Sequence, residues 1–279
     1  MTGTDAPLSG DVIPVHIDTT KASIARVYDA ALGGKDNYEV DRELVRRLAQ
    51  LVPDIGQYAW DERNFLIRVT RFLAGEVGIT QFLDCGSGLP TAENTHQVAQ
   101  RIQRDARVVY IDNDPVVLAH GRALLEENDQ TYFSAADIFE PRQVLNDEIV
   151  RKHLDFSEPI ALFQLGTLCH YDGERSPQSI MQEYIDALPS GSYVAICHFF
   201  DPETPSELSE LARKMEQVFA NSPLGGVFRT RAEIEGMFPG LELIEPGLTW
   251  CAEWWPDGPR IKPLAPAQHT LVGAVGRKP

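Results

Sequence analysis

Apolar and polar positions change rhythm once along this chain, near residue 78. Upstream, from Lys21 to Leu51, apolar residues recur at helical spacing, with a break at "LGGKDN" where Gly33 and Gly34 interrupt the run. A longer helix is predicted over roughly 57–75, because Tyr58, Phe65, Leu66, Val69, Phe72 and Leu73 return every three or four residues. Downstream, short apolar runs follow one another at 80–84, 107–112, 131–135, 160–165, 192–199, about 241–244 and 270–275. That spacing is the mark of strands alternating with helices.

Helix-start signals fill most of the gaps. Asp114 with Pro115, and Ser176 with Pro177, place a capping acceptor before a proline suited to the first helical turn. Thr204 with Glu207, and Thr230 with Glu233, have the spacing of a capping box, the first with Pro205 at the opening helical position. Such alternation predicts an α/β fold with a doubly wound, mainly parallel sheet and helices on both faces. Between the last two runs, "EPGLTWCAEWWPDGPRIKP" offers no helix. An antiparallel final strand inserted in the sheet accommodates this, with Trp250, Trp254 and Trp255 packed under a proline-rich loop; walling a ligand pocket is the alternative. The predicted organisation is a mobile arm over residues 1–20, a helical cap over 21–76, and the sheet domain over 77–279.

Composition narrows the function classes. Hydrophobic residues make up 43% of the 279, yet no apolar run approaches the roughly 18 residues of a membrane span. The first twenty residues lack the basic start and apolar core of a secretory signal, so a soluble, cytoplasmic protein is expected. Cys85, Cys169, Cys197 and Cys251 lack zinc-site or redox-pair spacing and are expected to be structural thiols, with no metal. A net charge of −16 repels phosphate backbones and disfavours a nucleic-acid partner.

The segment "QFLDCGSGLPT", residues 81–91, ends the first downstream strand in a turn with two glycines. In open α/β sheets, ligands sit beyond the carboxyl ends of the strands, where the strand order reverses. A dinucleotide fingerprint asks for a third glycine, but Thr91 stands there. Asp84, just before the turn, would repel a pyrophosphate and attract a cation, which suits S-adenosylmethionine with its ammonium and sulfonium. The bland alternative is a tight strand-to-helix turn. Asp112 follows Gly88 by about two dozen residues at the end of the second strand, where a carboxylate can accept ribose hydroxyls. Asp137, ending the third, can accept the adenine amino group, with Ile138 covering the ring. Helix capping for Asp112 and a turn role for Asp137 are the alternatives.

With these carboxylates in place, the sequence resembles a class I S-adenosylmethionine-dependent methyltransferase. More narrowly, "SIARVYDAALGGKDNYEVDR", residues 23–42, resembles the signature of an actinobacterial family of predicted methyltransferases with largely uncharacterised substrates. The likeness extends through "VVYIDNDPVVLAHGRALL", "GSYVAICHF" and "GLELIEPGL". It implies a Rossmann-like seven-stranded sheet with the last strand antiparallel. It also implies cofactor contacts at Asp84, Gly86, Ser87, Gly88, Asp112, Asn113, Asp137 and Ile138, with Gln164 and Leu165 closing the fourth strand. The fourth strand continues "QLGTLCHYDG", without the N/D-P-P-Y/F run of enzymes that methylate amino groups of nucleic acids and glutamine.

The glycine pair at 33–34 invites a bend that folds the N-terminal signature over the cofactor. Tyr28 or Tyr38 would then meet the methionine end, and Arg26 or Lys35 its carboxylate; an exposed amphipathic helix with solvated charges is the alternative. His170 is the first candidate for a general base, ahead of Tyr171 and His198. The expected activity is methyl transfer from S-adenosyl-L-methionine to a small-molecule acceptor at oxygen or nitrogen. A non-catalytic binder of the same cofactor and a nicotinamide-dependent oxidoreductase are the competing expectations.

Overall fold

A computed structural model describes residues 17–91, 93–125 and 129–279, so residues 1–16 of the expected mobile arm lie outside the described residues. A single sheet organises the chain. Its strands are β1 (Gln81–Cys85), β2 (Arg107–Ile111), β3 (Thr131–Ser134), β4 (Ala161–Leu165), β5 (Tyr193–Phe199), β6 (Glu242–Leu243), β7 (Thr249–Trp250) and β8 (Leu271–Arg277). The order is β3-β2-β1-β4-β5-β8-β6, with β7 also on β8. Strands β1 to β5 run parallel. Strand β8 is antiparallel to β5, from Tyr193 opposite Arg277 to Phe199 opposite Leu271.

Both β6 and β7 pair antiparallel with β8, on the side that β5 leaves open. They are two pieces of one interrupted edge strand, so eight strands occupy the seven positions expected. The run at 241–244 announced β6; β7 is a two-residue piece inside the proline-rich segment and carries no periodic signal of its own.

The near-continuous apolar runs follow from burial on both faces, and β1, β4 and β5 are buried at every position. Side chains alternate across the sheet. Phe82 and Phe163 therefore join Phe65, Val69, Leu73 and Trp254 on one face, while Leu83 and Leu162 join Ile111, Ile180 and Tyr184 on the other. Each such side chain contributes about 1.5–3 kcal/mol by leaving water. Trp254 is fully buried, edge-on to Phe65 and stacked on Trp255. Trp254 thus packs as expected, whereas Trp250 is half-buried and Trp255, 42% exposed, lies at the surface.

The N-terminal helices are α1 (Ile24–Ala31), α2 (Glu39–Leu51) and α3 (Ile55–Arg71), the last continued by a π-helical turn over Phe72–Val77. Then come α4 (Thr95–Ile102), α5 (Pro115–Leu125), α6 (Pro141–Asn146), α7 (Glu148–His153), α8 (Pro177–Ala187), α9 (Glu207–Ala220) and α10 (Arg231–Glu235). Ser176 caps α8 and the Thr230–Glu233 box opens α10, as predicted. The box expected at Thr204 does not form. Ser206 caps α9 instead, accepting the Ser209 N–H, and the Thr204 hydroxyl turns to Ser206 Oγ at 3.0 Å. Ser206 offers the same acceptor closer to the apolar face, so the helix starts after Pro205 rather than at it.

The strand order places the switch point between β1 and β4. The chain winds outward through β2 and β3, then returns to the other side of β1. The crevice this opens lies at the carboxyl ends of those strands. Among the described residues no helix is long and apolar enough to cross a membrane.

Candidate functional site

The glycine turn after β1 is built for close approach. Gly86 has φ +78° and a Cβ there would lie 2.3 Å from Thr167 Cγ2, so only glycine fits between β1 and the turn after β4. Gly88, at φ +65°, faces open space, with nothing within 4 Å of a Cβ position. Ser87 Oγ is buried beside it with no hydrogen-bond partner among the described residues.

The three strand-end carboxylates have distinct local duties. Asp112 Oδ2 accepts the Gly88 N–H at 2.8 Å and Oδ1 the Asp114 N–H at 2.9 Å. It therefore fastens the glycine turn to the end of β2, while Asp114 supplies the capping bond to Val116 N–H. Asp84 Oδ2 accepts the Thr95 hydroxyl at 2.6 Å. Asp137 Oδ1 accepts the Phe139 N–H at 2.9 Å, the turn role foreseen for it. Each carboxylate keeps lone pairs beyond these bonds.

Burial pushes Asp84 up to about 6, opposed by the Thr95 bond and the Arg63 charge. Asp112 is also raised to about 6 by burial, against the pull of the Asp114 and Gly88 N–H groups. Both lie close to the switch between neutral and charged forms.

A cavity of about 500 Å³ joins these groups to an apolar chamber, a volume within the range of small-molecule sites. Of the predicted residues, Tyr28, Asp84, Gly86, Ser87, Gly88, Asp112, Asn113, Asp137, Ile138, Leu165 and His170 line it. Val45, Leu48, Ile55, Phe199, Phe219 and Leu224 form the apolar end. The row of carboxylates, the open space at Gly88 and the unpartnered Ser87 hydroxyl suit a ligand with a polyhydroxylated ring and a cationic arm.

Four predicted contacts lie elsewhere. Arg26 is 3% exposed and its Nε is 3.1 Å from Asp41 Oδ2; its other guanidinium nitrogens bond the carbonyls of Asp18 and Lys21. Tyr38 is the residue before α2, its backbone N–H bonded to Asp41 and its ring 5.1 Å under the Arg26 guanidinium. Lys35 is exposed. Gln164 is fully buried, its Oε1 accepting the Thr167 hydroxyl at 2.6 Å and so shaping the turn after β4.

The polar density of residues 23–42 is thus explained by the segment's own closure. Asp29 accepts the Asp36 N–H and the Asn37 amide, and a Cβ on Gly34 would lie 2.0 Å from Asp29 Oδ1. Only Tyr28 of the four predicted N-terminal contacts reaches the cavity, its hydroxyl donating to the Ala59 carbonyl at 3.3 Å.

His170 lines the cavity with Nδ1 3.1 Å from the Gly225 carbonyl. That bond puts the proton on Nδ1 and the lone pair on Nε2; burial lowers the imidazole pKa and keeps it neutral. His198 has a structural role. It is fully buried between the Phe199 carbonyl and Arg229, and burial with the Arg229 charge takes it down to about 3. Tyr171 directs its hydroxyl to the Arg175 N–H.

Glu62, Arg63 and Thr167 line the cavity unforeseen. Glu62 stands four residues after Tyr58 and four before Leu66, on the apolar stripe of α3. A carboxylate interrupting such a stripe was the available signal.

Comparison with known proteins agrees with this geometry. The profile of a family described as S-adenosyl methyltransferase matches residues 11–279. The chain is similar, at 44% identity, to the crystal structure of an inferred methyltransferase from Thermobifida fusca YX, with 92% of this chain and 95% of that one covered and a TM-score of 0.86. It is similar at 34% identity to a DUF574 family protein from Streptomyces avermitilis MA-4680, covering 95% of this chain and 100% of that one at a TM-score of 0.88. No curated protein matches the chain.

Proposed function

Because the chain belongs to the S-adenosyl methyltransferase family, whose cofactor is S-adenosyl-L-methionine, we propose that it methylates a small-molecule acceptor at oxygen or nitrogen. The observation that carries this reading is the continuity of one cavity from the carboxylate row into an apolar chamber roofed by α1 to α3. When bound, the cofactor supplies an electrophilic methyl group on its sulfonium. The protein's part is to hold, align and exclude water.

Asp112 would accept the ribose hydroxyls with the lone pairs left by its two backbone bonds, and Asp137 the adenine amino group beneath Ile138. Asp84 would face the ammonium, and the glycine turn would let the backbone approach. Residues 21–76 would serve as a cap, with Tyr28 as its contact with the cavity, on a methyltransferase domain over 77–279. His170, neutral and with Nε2 able to take a proton, is the proposed general base. Membership of the narrower actinobacterial group marked by residues 23–42 is part of the same proposal, supported by the Thermobifida and Streptomyces sources of the similar structures.

A single-turnover assay with methyl-labelled cofactor and the small-molecule fraction of a cell extract tests it. Label is expected in a small molecule, and His170→Ala should slow its appearance while leaving cofactor affinity intact. Cofactor binding with no transfer to any acceptor would instead favour a non-catalytic binder.

A further inference from the structure

The mechanism above leaves one cavity-lining acid unused. Glu62 sits on the face of α3 that carries Ile55, Tyr58, Ala59 and Leu66 into the cavity. Its carboxylate lies against the end of β4, where a Cβ on Gly166 would meet Glu62 Oε1 at 2.1 Å. Among the described residues no hydrogen bond reaches its carboxylate; burial pushes it up to about 7, and the charge of Arg63 opposes this. The Arg63 guanidinium itself bonds Asn94 Oδ1 at 2.9 Å.

Helix spacing sets Glu62 one turn from Tyr58 and one turn from Leu66 on α3. The Glu62 charge acts on Tyr28, Tyr58, Cys169, Cys197 and Cys251. Arg63 acts on Glu62 and on Asp84 alike, while Asp112 responds to Asp114, Gly88 and Asp84. Glu62 therefore stands where the end of β4 meets the apolar chamber, one helical turn from Tyr58, whose ring approaches that of Phe199 at 6.2 Å. A carboxylate held there with only the Arg63 charge to offset its burial is costly unless a ligand brings a further positive charge. A neutral hydroxyl would compensate it less than an ammonium does.

We propose that Glu62 is the acceptor-recognition residue, and that the acceptor is an apolar small molecule, an aryl or alkyl body carrying one amine. The inference rests on the methyltransferase reading and narrows it from oxygen or nitrogen to nitrogen. The amine seats against Glu62 as an ammonium and gives up one proton, with His170 Nε2 as the proposed acceptor, before its nitrogen can take the methyl group, while its body fills the space among Leu48, Ile55, Phe199, Phe219 and Leu224.

The test is calorimetry on the full chain saturated with S-adenosylhomocysteine, at pH 8. The probes are 2-phenylethylamine and tryptamine, each beside its alcohol and carboxylate counterparts. At least one amine is expected to bind about tenfold or more tighter than its alcohol. Glu62→Gln should shrink that preference to about twofold and leave S-adenosylhomocysteine affinity within about threefold, since a charge-assisted bond is lost and no cofactor contact is. Melting of each variant checks that it is folded, and Glu62→Asp should recover part of the preference. Equal binding of amines and alcohols, or no binding by either amine, overturns the proposal. So does a loss of S-adenosylhomocysteine affinity in Glu62→Gln with the amine preference kept, which would give Glu62 to the cofactor. Failure of the wild-type chain to bind S-adenosylhomocysteine at all would strike the methyltransferase reading itself.

Discussion

The Arg26 guanidinium lies 3.1 Å from the Asp41 carboxylate, with the two side chains 4% and 0% exposed, so α1 and α2 are joined by a buried ion pair. Asp41 also accepts the N–H groups of Ser23 and Tyr38, which ties the start of each helix to the same carboxylate. Removing one partner leaves an uncompensated buried charge. Arg26→Ala is expected to cost about 3–5 kcal/mol of unfolding free energy, measured by urea titration. Under conditions where the variant is folded, its S-adenosylmethionine affinity should match wild type, because Arg26 does not line the cavity.

Asp112 holds the glycine turn through the Gly88 N–H and is the residue proposed to accept the ribose hydroxyls. Loss of hydrogen bonds to a charged acceptor is worth about 1.5–3 kcal/mol. Asp112→Asn should therefore weaken S-adenosylmethionine binding roughly 10- to 100-fold by calorimetry, with a lowered melting midpoint, since asparagine keeps only one of the two acceptor oxygens that the Gly88 and Asp114 N–H groups use. An unchanged dissociation constant would remove Asp112 from the ribose.

Tyr28 and Tyr38 are ten positions apart in sequence, and only Tyr28 reaches the cavity. Tyr28→Ala should reduce cofactor affinity by about tenfold, on the order of 1.4 kcal/mol. Tyr38→Ala should leave it unaltered and lower stability modestly, by removing the ring under Arg26. Equal effects on binding would contradict the placement of the cap.

Affinity for S-adenosylmethionine should also depend on pH. Asp84 and Asp112 are raised to about 6 by burial, so below that value they are largely neutral and attract the cationic ligand less. Binding is expected to tighten as pH rises from 5 through about 6 and to level off above 7, with proton release during the titration. A flat profile over that range would separate both carboxylates from the ligand's charge.

Stability should show the opposite slope at Glu62. Its folded pKa, about 7, exceeds the ordinary 4.5. The folded state thus holds the proton more tightly, and the resulting stability is full below about 4.5 and lost as pH rises through 7. The groups that bear on it are Arg63 on its own helix, Tyr28 on α1, and Tyr58 with the thiols of Cys169, Cys197 and Cys251. Glu62→Gln should therefore melt higher than wild type at pH 8, by on the order of 3 kcal/mol at most, and match it near pH 4.5. Differential scanning calorimetry across that range measures the difference.

The strand runs at 80–84, 107–112, 160–165 and 192–199 were legible because a parallel strand buried on both faces is apolar at nearly every position, and the run at 131–135 because its edge strand is still half-buried. Each carries that requirement in its own residues. The glycine turn and the strand-end carboxylates were equally local: Asp84, Asp112 and Asp137 each close a strand, and parallel strands bring their ends to one edge. What the sequence by itself determined was therefore the doubly wound sheet and the polar half of the cavity. Residues 23–42 were different. Their charges read as a lid's contacts with a cofactor, but Arg26 meets Asp41 and Asp29 meets Asn37 once α1 and α2 fold together. Which charge pairs with which across a bend depends on the bend's path, and no periodicity encodes it. The start of α9 at Ser206 rather than Thr204, and the place of Glu62 beside Gly166, were settled in the same way. Only tertiary structure decides the partners of a polar side chain, because several neighbours can satisfy it, whereas an apolar run on a strand has one way to leave water.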